Sequence, residues 1–256
     1  MKIEQVQGTR GTDTAFFNLM NVSGEAILKL MGIKNPTKYE AKAIVLKDKQ
    51  LFPDIQAWPI MKSDQGLIFL EFQGYKDPVI LFRITAKVTM TCAHELYSGP
   101  INAGVIYTEK KFMQAAHDMK LSSTDNKNWI KGKFTQIVLE DYTEQELITI
   151  DPKLIILAPF TASKRLKKQN RIALGYKWGA AVRKIYPIEK QTAALDVLAL
   201  FMLNKFKNLT IEEVQIMLNF DISKTVAGRQ LIKIGEIKGE KRGEKRGEKR
   251  GEKRGE

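Results

Sequence analysis

The stretch around Asp77-Pro78 constrains the fold more than any other, because the periodicity of the chain changes there. Before it, Gly66-Leu-Ile-Phe-Leu-Glu-Phe-Gln73 alternates as a strand does, with Leu67, Phe69, Glu71 and Gln73 on one face. After it a helix is predicted to run to about Leu96, since Asp caps free N–H groups and Pro suits the first helical position. Ile101–Tyr107 then reads as a strand. Upstream, Leu51–Ile60 is a further strand-like run, and the polar stretch Lys62-Ser-Asp-Gln-Gly66 is a turn signal that makes the two runs a hairpin.

Around this centre, Asp13–Met31 carries apolar residues at helical spacing, interrupted at Ser23-Gly24, which reads as two short helices or one broken helix. Ala43–Lys47 is predicted as a first strand, Lys111–Met119 as a helix and Phe134–Leu139 as a strand. Lys153–Ala158 is either a buried strand or the start of a helix. From Ser163 the pattern is helical: Ile188–Phe206 reads as amphipathic, and Thr210-Ile-Glu-Glu213 is a capping box opening a helix over Ile211–Leu218. Strands early and helices late predict an α/β core over residues 1–160 and a helical C-terminal region over 161–234. Residues 235–256 form a tail of Gly-Glu-Lys-Arg repeats, in which a Gly every fourth residue and the near absence of apolar side chains predict disorder or a fraying helix. That tail is either a weak basic arm for phosphates or a solvated repeat, and Glu dilutes the charge enough to favour the second.

Charge narrows the class of partner. The chain carries 42 Lys+Arg against 29 Asp+Glu, a net +13. From Lys238 onward nine Lys/Arg stand against five Glu, so +4 lies in the tail and +9 in residues 1–237. A surplus of this kind favours polyanions, with nucleic acid first and an acidic membrane surface second. One cysteine, Cys92, allows no internal disulfide and fits a reducing compartment. No apolar run reaches membrane-spanning length and the N-terminus lacks a secretion signal's apolar core, so a cytoplasmic location is expected. His94 and His117 have no partners at metal-ligand spacing, which argues against zinc.

The hairpin carries the chemistry. Asp54 shares a face with Phe52, Gln56 and Trp58, and pairing Trp58 with Leu67 near the turn would set Asp54 opposite Glu71. Directly opposed Cβ atoms lie about 4.5–5.5 Å apart, where two bare carboxylates repel and a divalent cation between them relieves the repulsion. Asp54, Glu71 and the backbone carbonyl of Phe72 would offer oxygen ligands to Mg²⁺, with Mn²⁺ as the substitute, and leave room for water and a phosphate oxygen. Gln73, on the face of Glu71, would orient the water. The bland alternative is a pair of unrelated strand-end carboxylates in solvent.

Pro53-Asp54 followed by Glu71-Phe-Gln73, after a helix and a strand, resembles the PD-(D/E)XK nuclease superfamily, and more closely its recombination-promoting nuclease / putative transposase family of bacteria. Thr12–Phe17, Lys38–Lys47, Glu71–Pro78, Arg83, Leu209–Leu218 and the charged Gly-Glu-Lys ending stand in the order associated with that family. The resemblance covers roughly residues 12–240. It implies a restriction-endonuclease-like mixed central sheet flanked by helices, with a helical C-terminal extension. It also implies Mg²⁺-dependent cleavage of DNA in a bacterial cytoplasm, with no membrane partner. Cutting both strands would favour a homodimer. The superfamily usually has Lys where this chain has Gln73, and Gln supplies no positive charge. Lys87 or Arg83, four apart on one helix face, could supply it. Both are otherwise read as phosphate-facing or surface residues. The cluster of Lys164, Arg165, Lys167, Lys168 and Arg171 is either a DNA-backbone contact or a solvated face. The chief rival function is a DNA-binding protein with the nuclease fold and no turnover.

Overall fold

A computed structural model describes residues 12–44, 58–114, 118–122, 129–225 and 229. The chain enters through α1 (Thr12–Leu30), which bends at Ser23, where φ is −137° and ψ 19°. The Ser23 hydroxyl donates to the Tyr186 hydroxyl, which itself donates to the Lys153 carbonyl at 2.7 Å, so the bend is tied to two distant segments. Burial pushes the Tyr186 phenol well above its ordinary pKa.

Strands β1 (Glu40–Ile44), β2 (Trp58–Ser63) and β3 (Gly66–Gln73) form an antiparallel meander. Helix α2 (Ile80–His94) then carries the chain back to β4 (Ile101–Tyr107), which lies parallel to β3. After a β5–β6 hairpin (Asp118–Ser122 and Trp129–Lys133), β7 (Thr135–Val138) joins β4 in parallel. The central sheet is thus mixed, in the order β1-β2-β3-β4-β7, with β2 alone reversed.

The sheet is covered on both faces, and the period-2 alternation of β3 sorts its side chains between them. Leu67 and Phe69 join Ile80, Leu81, Ile84, Val105 and Tyr107 in the layer beneath α2. Ile68, with Leu70 and Phe72, faces α1 and the C-terminal helices: α3 (Glu144–Ile150), α4 (Ala158–Thr161), α5 (Lys168–Ile185), α6 (Ile188–Lys205) and α7 (Ile211–Leu218). Phe16 of α1 stacks on Phe72 at 4.2 Å between ring centroids and meets Phe201 of α6 at 4.9 Å. The helical C-terminal region therefore shares one core with the first helix and the sheet.

Several local expectations are corrected. The hairpin turn is Asp64-Gln65 alone, and Lys62 and Ser63 belong to β2, which pairs Ser63 with Gly66 and Ile60 with Phe69. Gly66 sits at φ 128°, where a side chain would also run into the Pro100 carbonyl that accepts the Leu67 N–H at 3.0 Å. The described residues of Lys111–Met119 do not form the expected helix. A 3-10 turn covers Lys110–Phe112, and Met119 lies in β5, the one buried residue of an alternating strand. Pro152–Leu157 is 3-10 helix running into α4. Helix α6 is not amphipathic in its second half: Ala194–Lys205 is buried all round, because α1, α4, α5 and α7 enclose it. The capping box at Thr210 and Glu213 opens α7 as predicted. Trp178 is core, its indole N–H donating to Glu144 at 2.9 Å.

Candidate functional site

Glu71 and Gln73 lie at the last turn of the pleat in β3, on the α2 face, as alternation requires. The link from β3 to α2 is closed by Asp77. Its Oδ1 accepts the Val79 N–H at 2.9 Å, and its carbonyl accepts the N–H of Ile80. Asp77 thus acts two residues ahead of the N-cap of α2, which is Val79, rather than as the cap itself.

That turn aims the other Asp77 oxygen back at the helix. Arg83 Nη1 donates to Asp77 Oδ2 at 2.7 Å and reaches the Tyr75 hydroxyl at 3.4 Å. Arg83 Nη2 stands 4.0 Å from Glu71 Oε2. Lys87, one helical turn on, donates its ammonium to Glu71 Oε1. The Glu71 side chain is 12% exposed and that of Asp77 7%, against 25% for Lys87 and 42% for Arg83. Two acids sunk in the wall of the site thus face two more exposed cations, a balanced set of charges in which the Arg83 side chain is the most exposed.

Gln73 is 1% exposed and donates its side-chain N–H to the Tyr75 carbonyl at 2.9 Å. Its own carbonyl accepts the Thr108 N–H at 3.0 Å, which locks the end of β3 to the end of β4. The amide therefore shapes the Tyr75–Asp77 loop. The Tyr107 hydroxyl is buried in the same layer, and burial pushes its pKa up.

Asp54 lies outside the described residues. Its predicted opposition to Glu71 rested on Trp58 pairing with Leu67, and the observed register is shifted by four: Lys62 pairs with Leu67, and the register continued two residues past Ile60 brings Trp58 to Glu71. Opposition of Asp54 to Glu71 therefore does not follow from strand pairing. The shift is even, so the faces are unchanged.

Arg83 and Lys87 meet at Glu71, whereas Lys164 and Arg165 stand elsewhere. Lys164 pairs with Glu109, just past β4, and the Arg165 N–H donates to Ser163 Oγ at 3.2 Å. Burial raises the Glu109 carboxyl, but the ammoniums of Lys164 and Lys111 outweigh it and hold the pKa below the ordinary value. Lys168 pairs with Glu213. Asp77 is the residue that sequence reasoning assigned to the helix start alone; its second role needed Arg83, six residues on, to fold back over the turn.

Mg²⁺ takes hard oxygen ligands, which Glu71 and the Phe72 carbonyl are in kind. Among the described residues, however, no three His, Cys, Asp or Glu are grouped so as to hold a metal ion. Asp77, the acid beside Glu71, is already bound to Arg83. Asp54, the other acid of the sequence pattern, lies outside the described residues. No helix among the described residues is long and apolar enough to cross a membrane.

The family described as "Protein of unknown function (DUF2887)" matches residues 12–218, and the chain belongs to it. No curated protein and no solved structure matches the chain.

Proposed function

We propose that this family member is a DNA-directed phosphodiester hydrolase of the recombination-promoting nuclease / putative transposase kind, with its site at the β3 exit. The observation that carries the reading is the convergence of Lys87 and Arg83 on the sunken carboxylate of Glu71. The order helix, three-strand meander, helix, parallel strand supports it, as does the resemblance of Pro53-Asp54 and Glu71-Phe-Gln73 to the PD-(D/E)XK pattern. A basic chain of net +13 suits a polyanionic substrate.

In this reading Lys87 supplies the positive charge that Gln73 lacks. It reaches the carboxylate from the helix, where the usual superfamily lysine would reach it from the strand. Arg83, steered by Asp77, meets a phosphate oxygen at the outer side of the site. Gln73, buried with its amide N–H on the Tyr75 carbonyl, acts by holding the loop that carries Asp77. A divalent ion, Mg²⁺ or Mn²⁺, would be held by Glu71, the Phe72 carbonyl and Asp54. When bound, such an ion lowers the pKa of water and offsets charge on phosphorus.

The test is cleavage of supercoiled plasmid with Mg²⁺ or Mn²⁺. Nicking by the native chain and its loss in Glu71→Gln and Asp54→Ala, with folding retained, supports the enzyme. Lys87→Met is expected to lose rate rather than DNA affinity. The second reading, a DNA-binding protein without turnover, draws on the engagement of both Glu71 oxygens by cations. Salt-sensitive binding with no nicking by the native chain in either metal would establish it.

A further inference from the structure

The outer face of the β5–β6 ribbon carries a charge pattern that folding alone opposes. The register pairs Asp118 with Lys133 and Lys120 with Lys131, so these four residues share one face of the ribbon. Lys120, Lys131 and Lys133 are exposed. Like charges directly opposite each other destabilise a strand pair, and Lys120 and Lys131 are such a pair. Asp118 is the one acid on this face, with Oδ2 3.7 Å from Lys131 Nζ, and leaves a surplus of positive charge.

The inner face explains where the ribbon sits. Met119 is buried in the α2 layer, and a Cβ on Gly132 would lie 2.8 Å from the Phe134 ring and 3.6 Å from the Thr85 hydroxyl of α2. Thr85 is two residues from both Arg83 and Lys87, about 200° round the helix, so it lies on the opposite flank. The ribbon and the Glu71 site thus border the same helix on its two sides, separated by about one helix diameter, roughly 10 Å. Helix α2 contains no Asp or Glu, so nothing along its crest repels a phosphate.

We propose that the β5–β6 ribbon is a DNA-backbone grip, in which Lys120, Lys131 and Lys133 contact phosphates of a duplex lying across α2. The assignment rests on the DNA-directed reading above and adds the surface that holds the substrate. Duplex DNA is favoured over an anionic membrane because the apolar pair of the ribbon, Leu121 and Ile130, is on the opposite face from the lysines. A membrane-binding element buries its apolar side at the surface its cations border.

The experiment uses the full chain and a short fluorescent duplex of arbitrary sequence, titrated between about 50 and 200 mM salt. The variant Lys120→Gln/Lys131→Gln/Lys133→Gln is compared with Lys34→Gln/Lys38→Gln/Lys190→Gln, which removes the same charge from exposed positions elsewhere. The ribbon variant is expected to bind about tenfold or more weakly, with a log K against log salt slope shallower by about 2 to 3, while the control variant stays near the native slope. Lys120→Glu supplies a second readout: it faces Lys131 and leaves the Asp118–Lys131 pair in place, so it is expected to raise the melting temperature yet weaken DNA binding. Native binding with an unchanged slope in the ribbon variant overturns the grip and leaves the DNA-directed reading standing. Absence of DNA binding by the native chain at low salt overturns that reading, and the grip with it. In that case, ribbon-dependent binding to vesicles of anionic lipid would identify a membrane partner instead.

Discussion

Replacing Glu71 by Gln tests the centre of the site, because Gln keeps the shape of the side chain and removes its charge. In the folded chain Glu71 has Lys87 on one oxygen and Arg83 Nη2 at 4.0 Å from the other. At 4 Å and an effective dielectric near 20, one such pair is worth about 4 kcal/mol before desolvation and side-chain entropy are subtracted. Exposed pairs net about 0–1 kcal/mol, and removing one partner of a fully buried pair costs about 3–5 kcal/mol. With Glu71 sunk in the wall and both cations partly wet, a loss of about 2 kcal/mol is expected, which lowers the melting temperature by about 4–8 °C. Lys87→Met keeps the aliphatic stem, and the Glu71→Gln/Lys87→Met cycle is expected to show coupling of about 1–2 kcal/mol by denaturant unfolding. Mg²⁺ adds the functional arm. At ten times its dissociation constant a bound ion stabilises by about 1.4 kcal/mol, or about 3–5 °C in the native chain, and by nothing in Glu71→Gln. Coupling near zero would refute the clasp. An equal Mg²⁺ shift in native chain and variant would refute Glu71 as a metal ligand.

Other outcomes follow from single contacts. Asp196 is buried in α6, where desolvation raises its carboxyl pKa despite the Thr225 hydroxyl bonded to it at 2.6 Å. A pKa raised by folding means stability is gained as pH falls through the folded value and is absent near neutrality. Asp196→Asn is accordingly expected to melt higher than the native chain at pH 7, with the gap narrowing toward pH 4; a lower melting temperature at pH 7 would contradict this. At Gly104 of β4 an added Cβ would lie 2.9 Å from the Thr135 carbonyl and press on Met31. The β7 backbone cannot give way without losing its pairing, so Gly104→Ala should cost about 2 kcal/mol in chemical denaturation. Thr210→Ala removes the cap of α7, an expected loss of about 1 kcal/mol, visible as faster hydrogen exchange confined to that helix.

The features legible in the sequence were those governed by neighbours along the chain. Alternation put Glu71 and Gln73 on one face of β3, and Ser23-Gly24 marked the bend in α1, because side-chain direction and helix tolerance depend on a few adjacent residues. Thr210 and Glu213 announced α7, since a capping box is complete within four residues. Tertiary structure decided what local preference leaves degenerate. A strand of period 2 looks the same after a shift of two or four, so the β2–β3 register came from the Asp64-Gln65 turn and the docking of Gly66 on Pro100. The even burial of α6 and the placement of Asp118 and Met119, expected at the end of a helix, in strand β5 both depend on what packs around them. The sequence by itself set Arg83 and Lys87 one turn apart. That they close on Glu71 depended on α2 lying back across β3, a long-range contact that no local spacing encodes.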